Sequence, residues 1–170
     1  MPVVPRAGRM TLIAGPRSSA AIALMEGQGL INAPKPEYDI PRLPVDITQL
    51  DDEDLMVLYS KLTAYADFVS VQVSAAQIDE RDDEKRLASM ESFKMLTSEG
   101  KTDNKVTFAR AQVANDPQVV EMKESLEKSH AYRKIIEVMM MNIERDAALV
   151  SRELTRRTSN ISRRSNRWSA

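Results

Sequence analysis

The sequence predicts an all-α protein: a long antiparallel helical hairpin with a small mid-chain helical insertion and an extended N-terminal arm. Three observations carry that expectation. Helix breakers crowd one end: seven of the eight prolines (Pro2, Pro5, Pro16, Pro34, Pro36, Pro41, Pro44) precede residue 45, and four of the five glycines precede residue 30. After Pro44 only Gly100 and Pro117 interrupt the chain. In that breaker-poor stretch, apolar residues recur at intervals of three and four in two long runs. The divisions that follow are an arm over 1–47, a hairpin over 48–158 with its turn and short helix at about 100–115, and an Arg/Ser-rich tail over 159–170.

The arm reads as extended chain with one short helix. Thr11–Ala14 suits a short strand, broken by Gly15-Pro16. Ser18 or Ser19 is placed to cap a helix through Ala20–Met25, which Gly27 and Gly29 end. Pro34, Pro36, Pro41 and Pro44 then hold the backbone extended. Leu12, Ile13, Ile22, Leu24, Met25, Leu30, Ile31, Ile40 and Leu43 make the arm more apolar than a disordered tail, so it is expected to pack on its own body or on a neighbouring subunit.

The first long helix is expected to start near Thr48, where Thr48 and Asp51 resemble a capping arrangement and Asp51–Asp54 place negative charge on the positive end of the helix dipole. Leu55, Leu58, Leu62, Tyr65, Val69 and Ala76 keep the helical period, interrupted by Gln72 and widened by Phe68 and Val73. About 45 residues at about 1.5 Å each give roughly 65 Å. Gly100–Asn104 signals a turn, and Asn104 is placed to cap a short helix through Val106, Ala109 and Val113. Asn115-Asp116-Pro117 is a strong helix start, Asp at the N-cap and Pro in the first turn. From there Val119, Met122, Leu126, Ile136, Met140, Ile143, Ala147, Val150 and Leu154 hold the period, with Ser129 and Arg133 as exceptions. The two helices should pair like a coiled coil. Ile135, Val138, Met139, Met141 and Leu149 lie off that stripe, more apolar surface than a two-helix hairpin covers; they are the candidate oligomer interface.

Composition narrows the chemistry. With no Cys there is no disulfide, thiol nucleophile or Cys-based zinc site, and one His leaves no His pair for a metal. Aromatics at 5% are too few for an aromatic nucleic-acid platform, and no apolar run spans a bilayer. No signal peptide is visible, so an intracellular setting is expected, either the cytoplasm of a host or a virion. Gly15-Pro16-Arg17-Ser18 lacks the second Gly and the Lys of a phosphate loop and reads as a turn and cap. His130, one position past the stripe, reads as a half-exposed helical residue without a catalytic partner. Asp79-Glu80 and Asp82-Asp83-Glu84 are interspersed with Arg81, Lys85 and Arg86 and read as a solvated, self-paired face rather than a metal site. No catalytic residue, metal or cofactor is assigned, and the protein is expected not to be an enzyme.

Charge is the most informative feature. The near balance of 24 basic and 25 acidic residues conceals segregation: residues 51–91 hold four basic and eleven acidic, net −7, and residues 152–170 hold six Arg and one Glu, net +5. Arg152, Arg156, Arg157, Arg163, Arg164 and Arg167, with several Ser and Thr and the terminal Trp168, are the candidate nucleic-acid-binding residues: guanidinium forks for phosphate and an indole for stacking. The alternative is a solvated basic tail that meets the acidic segment of another subunit.

The stretch Glu144–Arg157, with the Asp116-Pro117 start, Ala131-Tyr132-Arg133-Lys134 and Leu50–Met56, resembles small helical proteins encoded by actinobacterial phages, over about residues 30–158. In layout the chain is also similar to the UvsY recombination mediator family of T-even-like phages: two long helices, a mid-chain insertion, a charged start to the second helix and a basic Ser/Arg-containing end. It departs from that family in its Pro-rich arm. The resemblance implies a ring-like oligomer that binds single-stranded DNA and helps load a recombinase. The competing expectation is a virion structural or assembly protein, a scaffold or a minor capsid or tail component, whose arm clasps neighbouring subunits. Homo-oligomers, single-stranded DNA and other phage proteins are the partners expected, and no membrane.

Overall fold

A computed structural model of the chain describes residues 16–30, 33–97 and 105–167. Its elements are α1 (Pro16–Gly27), a single 3-10 turn (Ile47–Gln49), α2 (Asp52–Thr97), α3 (Lys105–Ala114) and α4 (Pro117–Arg167). Among the described residues every regular element is helical, and the long pair α2 and α4 packs together to form the body. Cross-helix partners run in opposite directions along the two helices: Asp52 meets Arg157, Gln77 meets Glu137, Asp83 meets Ser129 and Glu91 meets Lys123. The 46 residues of α2 and 51 of α4 correspond to rods of about 70 and 75 Å. The expected strand at Thr11–Ala14, the turn at Gly100–Asn104 and the Asn104 cap lie outside the described residues.

Several element ends differ from the sequence expectation. α2 starts at Asp52, not near Thr48. Asp51 is its cap, accepting the Asp54 N–H at 2.7 Å. Thr48 belongs instead to the 3-10 turn, whose own cap is Asp46: its Oδ1 accepts the Thr48 N–H at 2.9 Å and the Thr48 hydroxyl at 2.6 Å. Leu50, extended at φ −68° and ψ 148°, separates the turn from the helix. α1 begins at Pro16, so Ser18 lies within its first turn rather than at its cap. α1 ends as a Schellman motif: the Leu30 N–H reaches the Met25 carbonyl, the Gly29 N–H reaches that of Glu26, and Gly29 supplies the left-handed φ of 76°. α4 starts as expected, with Asp116 Oδ1 accepting the Gln118 N–H at 3.0 Å and Pro117 in the first position. It runs to Arg167, through the boundary drawn at 158–159, because no Gly or Pro follows Pro117.

The core lies toward the end where α2 begins. Leu55, Leu62, Tyr65 and Val69 of α2 pack with Ile143 and Val150 of α4, and Leu55, Leu62, Val69 and Val150 are fully enclosed. Each such aliphatic side chain contributes about 1.5–3 kcal/mol. The arm closes this end. Tyr38, Leu43, Ile47 and Leu50 pack against the cluster, and the Tyr38 hydroxyl donates to the Lys61 carbonyl at 3.1 Å. The Tyr65 ring lies 6.1 Å from both Tyr38 and Phe68, edge-on to the latter. Farther along, α1 packs on α2. Ser18, fully buried, donates its N–H and hydroxyl to the two carboxylate oxygens of Asp79, at 3.1 and 2.6 Å, and Arg17 pairs with Asp82 at 3.1 Å. The described part of the arm thus lies on its own hairpin.

Candidate nucleic-acid interface

The Arg-rich end of α4 is organised by one buried carboxylate. Glu153, 7% exposed, sits three and four residues before Arg156 and Arg157. Arg156 donates Nε and Nη2 to it, both at 2.6 Å, and Arg157 donates Nε at 2.8 Å. The hydrogen bonds from Arg156, then Arg157, outweigh burial and hold the Glu153 carboxyl down at about 2. Arg157 also donates Nη1 to Asp52 at 2.7 Å and Nη2 to the Thr48 carbonyl at 2.9 Å. All three nitrogens of Arg157 are therefore engaged, and Asp52 first, then Glu153, push its pKa up.

The six candidate arginines accordingly divide. Arg157 is a clamp between the end of α4 and the start of α2, with a side chain only 18% exposed. Arg152 is exposed, and Arg156, though forked onto Glu153, keeps a side chain 56% exposed. Positions 163, 164 and 167 belong to the helical backbone of α4, while Trp168 lies outside the described residues. Arg157 marks where α2 begins, so the ten residues from Thr158 to Arg167 carry α4 about 15 Å farther.

Midway along the hairpin the two exceptions to the α4 stripe find partners. Ser129 donates to Asp83 at 2.8 Å. Arg133 donates Nε and Nη2 to Glu80, which is buried, and Nη1 to Glu137 at 2.6 Å. His130 Nδ1 lies 2.6 Å from Glu80 Oε1, and Gln77 donates to Glu137 at 3.4 Å. The Arg133 hydrogen bond outweighs burial and, with His130 assisting, holds the Glu80 carboxyl below its usual range; Arg133 also lowers Glu137 and is itself raised, Glu80 first. This corrects the reading of the acidic run as a solvated, self-paired face. Within it, Arg86–Asp82 is such a pair, but Glu80, Asp83 and Asp79 hold α4 and α1 in place. His130 is half-exposed as expected, yet has a carboxylate partner.

Of the candidate interface residues, Ile135, Val138, Met141 and Leu149 are exposed at 68, 50, 59 and 39%. Met139 is not among them: it packs against the hairpin's own core. Sequence reasoning did not single out Arg145, whose side chain is 69% exposed on α4. The signal was present in its spacing of seven residues from Arg152. Among the described residues no group of three or more His, Cys, Asp or Glu converges on a point, and no helix is long and apolar enough to cross a membrane. No protein-family model, curated protein or solved structure matches the chain.

Proposed function

We propose that this protein is an oligomeric, non-enzymatic nucleic-acid-binding factor of recombination-mediator type, acting on single-stranded DNA in a phage-infected host. The observation that carries the reading is the end of α4: Arg152 and Arg156 are exposed there, and the helix continues past the start of α2 through three further arginine positions. Guanidinium groups on a helix suit a phosphate backbone, which presents repeated anionic forks without demanding a fixed sequence. Ile135, Val138 and Met141, exposed within two turns, supply self-association. The test is binding of a labelled oligothymidylate by anisotropy across a salt series, on full-length protein and on a chain ending at Arg157. The full chain should bind with a steep salt dependence and the shortened one should bind more weakly. Equal binding by both removes the role of residues 158–170, and no binding by the full chain at low salt refutes the reading. The exposed apolar residues of α4 also favour a second reading, a virion structural or assembly protein; its presence in purified particles would decide for that reading.

A further inference from the structure

We propose that the nucleic-acid-binding surface is a continuous ridge along the outer side of α4, and that it starts at Arg145, inside the hairpin, rather than at Arg152. This rests on the reading above and assigns two residues to it, Arg145 and Leu149. At about 100° per residue, positions 145, 149, 152, 156, 163 and 167 fall within a sector of about 60°, opposite the line of Ile136, Ile143 and Val150 that faces α2. Five of these six positions are Arg and one is Leu. The acidic residues of this stretch, Asp146 and Glu153, fall outside the sector, so no carboxylate interrupts it from Arg145 to Arg167. The ridge spans 23 residues, about 33 Å from end to end.

Its described members are open. The Arg145 side chain is 69% exposed, and among the described residues its ion-pair partner is its sequence neighbour Asp146, at 3.7 Å, too long for a hydrogen bond. Arg152 is exposed, and Arg156 turns one edge to Glu153 while remaining 56% exposed. Leu149, 39% exposed, lies on the ridge four residues after Arg145 and three before Arg152, with Asp146 and Glu153 on its flank. A second copy of the chain packing there would bury Leu149 at the cost of desolvating three arginines. A single-stranded nucleic acid satisfies both kinds of group, phosphates taking the guanidinium groups and an unstacked base covering the leucine. Charge complementarity therefore selects the polyanion as occupant and moves Leu149 out of the self-association surface, which keeps Ile135, Val138 and Met141.

The experiment compares full-length wild type, Arg145→Ala, Arg145→Lys, Leu149→Ala and the chain ending at Arg157. It reads anisotropy of a labelled oligothymidylate across a salt series, solution mass and helicity. Arg145→Ala should weaken binding about three- to tenfold at low salt and reduce the slope of log affinity against log salt by about 0.7, the value for one phosphate contact on a single strand. Arg145→Lys should restore most of that slope. Leu149→Ala should weaken binding without changing the slope. All point variants should keep the wild-type mass and helicity. If Arg145→Ala binds like wild type while the chain ending at Arg157 binds more weakly, the extension is wrong and the parent reading survives. A drop in oligomer mass for Arg145→Ala or Leu149→Ala overturns the proposal in favour of a second copy on this face. If wild type does not bind at all, the proposal and the parent reading fall together.

Discussion

Removing the buried carboxylate at the middle of the hairpin should cost more than removing any exposed charge. In Glu80→Ala, Arg133 loses two of its three carboxylate hydrogen bonds and His130 loses its carboxylate partner. Glu80 is 7% exposed, so its pairing operates where water competes poorly. Truncating one partner of a buried ion pair costs about 3–5 kcal/mol. Arg133 keeps its 2.6 Å bond to Glu137 and some access to water, which places Glu80→Ala at the lower end, about 3 kcal/mol. For a chain of this size that is a fall in melting temperature of about 6–12 °C. Chemical denaturation followed by circular dichroism measures it, with Glu80→Leu/Arg133→Leu as the control. The double variant leaves neither charge of the pair behind and should be more stable than Glu80→Ala. A loss below about 1 kcal/mol for Glu80→Ala, or a double variant less stable than the single one, would refute the argument that the penalty comes from an orphaned buried charge.

Four further outcomes follow from the same geometry. A chain ending at Arg157 should keep the wild-type melting temperature, whereas one ending at Ser151 loses Glu153, the Arg157 clamp and about 1–2 kcal/mol of Leu154 burial, so thermal melts should separate the two. Acid should destabilise the protein through its depressed carboxylates. Glu153 titrates at 4.5 unfolded and about 2 folded, so its contribution is complete above about 4.5 and is lost as pH falls toward 2, with Glu80 losing its own in the same direction; melting temperatures from pH 7 to 2 read this, and Glu153→Gln should flatten the curve. Gln72 breaks the α2 stripe with a buried Nε2 that has no hydrogen-bond partner among the described residues, so Gln72→Met should raise stability by about 1 kcal/mol in denaturant titrations. Gly29→Ala meets no atoms within 4 Å among the described residues but must hold φ near 76°, so it should cost about 1 kcal/mol, read as faster amide exchange in α1.

The helical hairpin was legible because its determinants are local. Breakers, the Asp116-Pro117 start and the spacing of Leu55, Leu62, Val69, Ile143 and Val150 each speak within a few residues of themselves. What stayed hidden needed a partner far along the chain. Arg133 looks like a defect in an apolar stripe until Glu80, 53 positions earlier, comes opposite it. Arg157 reads as one of six equivalent arginines, but its contacts with Asp52 and Thr48 form only when the helices fold back. Thr48 and Asp51 are both competent caps, and the choice between them is made by Asp46, which draws Thr48 into a turn of its own. Met139 lies off the helical stripe of α4, and only the packing of α2 against α4 shows that it joins the hairpin's own core.

The hydrogen bonds between Ser18 and Asp79 make α1 conditional. A twelve-residue helix is near the lower limit of what persists alone in water, and the acceptor at its amino end belongs to the middle of α2. Forming α1 and docking it are therefore one event. Its helicity acts as an intrinsic gauge of whether the central stretch of α2 is intact, readable residue by residue without a label on the hairpin itself.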